Sequence, residues 1–111
     1  MVQEKLDVLQ GTLDLLILRT LQWGPQHGHG IGQALRMKSD DLLQVEHGSL
    51  YPALHRLRRE GLIDSAWGVT ENNQRAKFYR LTQAGKKRLI VEESKWKLFV
   101  KTVAKVLRPQ E

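Results

Sequence analysis

Apolar residues along this chain fall into four helical stripes and one pair of shorter, alternating runs. The clearest stripe lies between Val45 and Ile63, where Leu50, Ala53, Leu54 and Leu57 recur at three- and four-residue spacing and so share one buried side of a helix. Its other side is Tyr51, His55, Arg56, Arg58 and Arg59. Gly61 follows Glu60 where helices commonly stop, and Leu62 and Ile63 open a strand-like run. Ser49 is the best-placed N-cap for the N-terminal end. With Ser49 as N-cap, Pro52 falls in the first turn, where its missing N–H costs nothing; with a start near His47, Pro52 kinks the helix.

Upstream, Met1 to Gln10 reads as a short polar arm. Thr12 can cap a helix on which Leu13, Leu16, Ile17, Thr20 and Leu21 share a face widened by Leu15 and Leu18, and which Trp23 and Gly24-Pro25 end. A helix this apolar needs cover on two sides, from the domain core and from a second subunit. A glycine-rich turn then leads into a shorter helix from Ile31 to Met37, with Ile31, Ala34 and Leu35 inward. Downstream, Leu62 to Trp67 and Ala76 to Leu81 form two strands joined by a polar turn from Gly68 to Arg75 that contains Asn72-Asn73. The hairpin tip carries Asn73, Gln74, Arg75 and Lys77. Thr82 caps a last helix whose apolar positions Leu89, Trp96, Val100, Val103 and Leu107 step by seven, four, three and four, with Phe99 and Val106 beside them. That near-heptad stripe is too long to be buried on one small domain, so its outer half is expected to be a dimer seam.

Charge sharpens this picture. The 111 residues carry a formal net charge of +6. Nine basic and three acidic residues lie between His55 and Arg88, while the remainder of the chain balances to zero. The excess therefore sits on the third helix, the hairpin and the start of the last helix, the footprint of a surface that meets a polyanion.

Other chemistries find little support. The chain has no cysteine, which removes disulfides, thiolate nucleophiles and thiolate metal sites and fits a reducing compartment. No signal-peptide pattern or membrane-length apolar run is present, so a cytoplasmic, soluble protein is expected. The glycines around Gly28 and Gly30 follow no evident strand and precede no Gly-Lys-Ser/Thr, so close packing explains them better than phosphate binding. His27 and His29 sit two apart and His47 and His55 eight apart, without zinc-site spacing or clustered acidic ligands; no metal or other cofactor is expected. No nucleophile elbow or apolar carboxylate pair suggests an enzyme.

Three helices, a hairpin and a terminal helix, with the third helix basic, describe an α+β, mainly α fold: a winged helix-turn-helix with a C-terminal dimerisation helix. The expected division is 1–85 for the winged-helix domain and 86–111 for the dimerisation helix. The basic helix would enter the major groove of double-stranded DNA, where Arg56, Arg59 and His55 can donate to guanine acceptors and Tyr51 can reach a phosphate or a thymine methyl. Arg75 or Lys77 on the wing would meet the adjacent minor groove. A homodimer presents two such helices about 34 Å apart, which predicts an inverted-repeat operator.

The blocks Gly11-Thr12-Leu13-Asp14, His27-Gly28-His29-Gly30-Ile31, Gly48-Ser49-Leu50-Tyr51-Pro52-Ala53-Leu54, Glu60-Gly61-Leu62-Ile63 and Tyr79-Arg80-Leu81-Thr82-Gln83-Ala84-Gly85 resemble the PadR family of bacterial transcriptional regulators. The resemblance spans roughly Leu9 to Leu89. It implies a winged-helix repressor of neighbouring genes that dimerises through its first and last helices. By the same resemblance DNA is read by the helix that holds Ser49, Tyr51, Pro52 and His55 and by the wing with Arg75 and Lys77; the polar hairpin tip adds Asn73 to the expected DNA contacts. The expected dimer contacts are Leu13, Ile17, Leu89, Trp96, Phe99, Val100, Val103 and Leu107. The chain departs from the family in having His29 where tyrosine is frequent, and in stopping after one C-terminal helix, as in short-form members. In some of these an aromatic residue of the last helix stacks on flat ligands across the dimer; Trp96 occupies the matching place, as an effector contact or as a space-filling seam residue. The competing reading of the whole chain is a protein-interaction module that turns its basic face to an acidic partner.

Overall fold

The computed structural model describes the backbone of Leu6–Asp7 and the residues from 11 to 110. Among these the order is β1 (Leu6–Asp7), α1 (Leu13–Gln22), β2 (Gln26–His27), α2 (Gly28–Lys38), β3 (Leu43–Gln44), α3 (His47–Arg59), β4 (Ile63–Val69), β5 (Arg75–Leu81) and α4 (Gln83–Leu107). The fold is thus the expected helix-rich α+β winged helix. Apart from β1, which pairs in parallel with β3 through Leu6 to Leu43 and Asp7 to Gln44, the expected N-terminal arm lies outside the described residues. Strands β4 and β5 form the antiparallel wing, with Trp67 opposite Lys77 and Val69 opposite Arg75.

The core sits where the helical stripes converge. Ile17, Leu18 and Leu21 of α1 meet Ile31 and Leu35 of α2, the whole Leu50, Ala53, Leu54, Leu57 stripe of α3, and Leu62, Ile63 and Tyr79 from the wing stem. Leu89 of α4 closes it. Each fully buried leucine or isoleucine stabilises the fold by roughly 1.5 to 3 kcal/mol relative to an exposed one, so the three-and-four spacing of α3 fixes which face it turns outward.

Two helices begin earlier than the sequence pattern suggests. Helix α2 starts at Gly28, so the supposed glycine-rich turn is its first turn, and the His27 side chain caps it by accepting from the Gly30 N–H at 3.1 Å. A strand does precede these glycines: β2 pairs with β5 through Gln26 to Tyr79 and His27 to Phe78. A Cβ on Gly28 would lie 2.7 Å from the Tyr51 hydroxyl, so this glycine admits α3 close against α2. Helix α3 starts at His47, after an extended Glu46 whose carbonyl accepts from Leu50 at 2.9 Å. Ser49 is therefore inside the helix rather than its cap, and Pro52 is interior, donating nothing to the Gly48 carbonyl.

Both ends that orient the wing were legible. Gly61, at φ 76°, ends α3 as the C′ residue: its N–H donates to Arg58 and that of Leu62 to Leu57, each at 3.0 Å, which satisfies the last carbonyls. Thr82 caps α4 by accepting from Gly85 N–H at 3.1 Å while its own hydroxyl donates to the Gly61 carbonyl at 2.6 Å. One hydroxyl thus ties the end of α3 to the start of α4. Gly85 is buried so tightly that a Cβ there would collide with the Leu62 carbonyl.

Candidate nucleic-acid interface

The face of α3 opposite its buried stripe consists of Pro52, His55 and Arg59, spaced three and four residues apart and all exposed. Ser49 is exposed at the N-terminal end of the helix. The flanks behave differently. Tyr51 is half-buried beside Gly28 and packs its ring 5.7 Å from that of His47. Arg56 turns away from the outward face toward α1, where its guanidinium donates to both oxygens of Asp14 at 2.8 and 2.5 Å and approaches Glu60 at 3.6 Å. The hydrogen bond to Asp14, more than the simple attraction of charges, raises the pKa of Arg56 further above its ordinary value. The Arg56 guanidinium, expected among the DNA-reading residues, is thus paired with Asp14 within the protein.

The wing carries the second group. Its five-residue turn is closed by the Thr70 N–H donating to Gln74 at 2.8 Å, the Asn73 N–H to Thr70 at 2.9 Å and the Gln74 N–H to the Thr70 hydroxyl at 3.1 Å. Asn73 takes a left-handed φ of 63°, a conformation asparagine tolerates, which confirms the Asn-Asn turn. Behind the tip, the Arg75 guanidinium lies 4.3 Å and the Lys77 ammonium 5.5 Å from the centre of the Trp67 ring. Trp67 was missed in the sequence reading. Its signal was a tryptophan on the strand facing two basic residues, where a core aromatic would have been expected.

An open groove of about 880 Å³ runs between these two groups. Tyr51 and His55 border it from α3, His29 and Gln33 from α2, and Trp67, Arg75 and Lys77 from the wing. Residues of α3 and of the wing therefore share one concave surface, with the first turn of α2 between them. Of the basic residues on this part of the chain, Arg56 and Arg80 are neutralised locally, Arg80 by Asp64 at 2.8 Å; Arg59, Arg75 and Lys77 have no carboxylate partner among the described residues.

The residues expected at the dimer seam divide into two sets. Ile17 and Leu89 are closed into the chain's own core, with 0% and 2% of their surface exposed. Leu13 packs partly against that core. Trp96, Phe99, Val100 and Leu107 are exposed along α4, and Val103 is half-buried. Trp96 and Phe99 stack with ring centres 6.0 Å apart and line, with Gly11, Thr12, Leu15 and Glu92, a cleft of about 140 Å³ between α1 and α4. No described helix is long and apolar enough to cross a membrane.

A trihelical core, a two-stranded wing on its sheet and a basic helix beside that wing define a winged-helix, DNA-binding class of protein rather than an enzyme. Residues 17–90 match the profile of the Transcriptional regulator PadR-like family, and the chain belongs to that family. Its fold is similar to that of a transcriptional regulator from Clostridium thermocellum, with a TM-score of 0.81 and 32% identity over 89% of this chain and 96% of the other. A PadR family transcription regulator from Clostridium difficile R20291 matches with a TM-score of 0.74 and 27% identity over 87% of this chain and 99% of that one. A PadR-like transcriptional regulator from Bacillus cereus matches with a TM-score of 0.77 and 25% identity, covering 92% and 97%.

Proposed function

We propose that this transcriptional regulator is a cytoplasmic, homodimeric repressor that binds an inverted-repeat operator. The observation that carries the reading is the shared groove: α3 presents Tyr51 and His55, and the wing presents Arg75 and Lys77, around one concave surface. Arg75, Lys77 and the exposed Arg59 of α3 have no carboxylate partner among the described residues. On this reading Pro52, His55 and Arg59, with Ser49 at the helix start, face the major groove. Tyr51 lies at its edge, and Asn73, Arg75 and Lys77 approach the flanking minor groove. The dimer is supported by the exposed Trp96, Phe99, Val100 and Leu107 on a 25-residue helix whose inner end alone is built into the core. A flat aromatic effector would stack on Trp96 at the cleft between α1 and α4.

The test is binding of the purified chain to the DNA just upstream of its own gene, against a scrambled duplex, at two salt concentrations. Selective, salt-sensitive binding with two symmetric half-sites in the footprint is expected. Equal and weak binding to both duplexes would overturn the operator reading and favour a protein partner for the basic face.

A further inference from the structure

The wing contains a contact that differs in kind from the carboxylate pairs that hold Arg56 on α3 and Arg80 on β5. Arg56 and Arg80 are held by carboxylates, which fix their position and cancel their charge. Arg75 and Lys77 are held against an indole, which fixes position and leaves the charge intact. The register explains how: Trp67 faces Lys77 across the ladder and Arg75 lies one diagonal step away, opposite Val69, so all four side chains project from the same face of the hairpin. The other face is used differently. Phe78 lies so close over Gly68 that a Cβ there would come within 2.7 Å of its ring, and that ring meets His27 in a T-shaped contact at 5.3 Å between ring centres. Trp67 thus has no part in the core. It is 58% exposed, and its ring faces the two cations.

We propose that Trp67 is a positioning residue that holds the Arg75 guanidinium over its ring, charged and unpaired, for insertion into a narrow A·T-rich minor groove beside the helix-read half-site. The inference rests on the DNA-binding reading above and adds to it a determinant of sequence preference. A narrow minor groove concentrates negative potential, and an arginine already ordered on a rigid ring loses less freedom on entering it than one waving from a strand end. A lysine's hydrated point charge gains less there, which assigns Arg75 the groove and Lys77 the neighbouring phosphate. The wing would then read groove width, at positions where α3 makes no contact.

The test uses the full chain and a duplex enriched by the wild-type protein from a random library, together with a copy whose flanking A·T pairs are changed to G·C. W67A should lower affinity for the A·T-flanked duplex about fivefold and abolish the preference over the G·C-flanked one, while W67F, which keeps a ring, retains most of both. Since Arg75 keeps its charge in W67A, the dependence of log affinity on log salt should keep its slope, whereas R75A should reduce the slope by about one. In the R75A background W67A should have no further effect. The Arg75 Nε–H resonance of the free protein, shifted by the indole ring current, should move in W67A. The proposal is overturned if W67A binds like the wild type, if it weakens R75A as much as it weakens the wild type, or if that resonance does not move. If the wild-type chain enriches no duplex at all, the operator reading fails and this inference fails with it.

Discussion

Arg56 on α3 and Asp14 on α1, 42 residues apart in sequence, are joined by two hydrogen bonds of 2.8 and 2.5 Å. A bidentate pair fixes the angle between two helices as well as their separation, so this arginine sets how α3 stands on α1. We expect Arg56→Ala and Asp14→Asn each to lower stability by about 0.5 to 1 kcal/mol, a small figure because both side chains are partly solvated. Neither should alter the salt slope of DNA binding, whereas Arg59→Ala should reduce it by about one. Urea unfolding and a salt titration of binding distinguish the two arginines.

Gly85→Ala places a methyl group against the Leu62 carbonyl at the hinge of α4 and the wing. The neighbour is backbone, tied in turn to the Thr82 N–H at 3.1 Å, so it cannot step aside cheaply. A loss of about 2 to 3 kcal/mol is expected from chemical denaturation. Ala84→Gly, one residue away at an exposed position, serves as the control and should lose about 1 kcal/mol or less.

Burial pushes the Tyr79 phenol above its ordinary value of 10.0; Tyr51 acts in the same direction and Arg58 opposes it. The folded state therefore prefers the neutral phenol, and the unfolded chain ionises first as pH rises. Its contribution is complete below about pH 10 and is lost as pH climbs toward the higher folded value. Tyr79→Phe should narrow the drop in urea midpoint between about pH 8 and about pH 10.5. An unchanged drop would show that other groups carry the alkaline sensitivity.

If the outer part of α4 forms the subunit seam, Val100→Asp and Leu107→Asp should convert the chain to single-protomer mass in sedimentation equilibrium. Both positions are exposed, so thermal stability measured on the isolated protomer should change by less than about 0.5 kcal/mol. A wild-type chain already at that mass at micromolar concentration would remove the seam.

The buried side of α3, the stop at Gly61, the cap at Thr82 and the turn at Asn73 were all readable, because each depends on side-chain spacing or local backbone preference. What escaped depended on partners distant in sequence. Arg56 looks like any other helix arginine until folding brings Asp14 beside it, and Ile17 and Leu89 look like seam residues until the core closes over them. Strand β2 is too short to show alternation, and its only signal is the edge of β5 it pairs with. The start of α3 was misplaced because Ser49 is a good cap by type, whereas the extended backbone at Glu46 decides where the helix begins.

His27 holds two positions at once: its backbone pairs with Phe78 on the wing's return strand, and its side chain closes the first turn of α2. One residue therefore ties the wing stem to the helix beside it. A clamp at that point makes the span between α3 and the wing tip a fixed length, and a fixed length works as a caliper. On the operator reading, a duplex whose twist or groove width misplaces either groove by a few ångströms would have to deform to be gripped, and ease of bending would then add to the letters it carries in setting affinity.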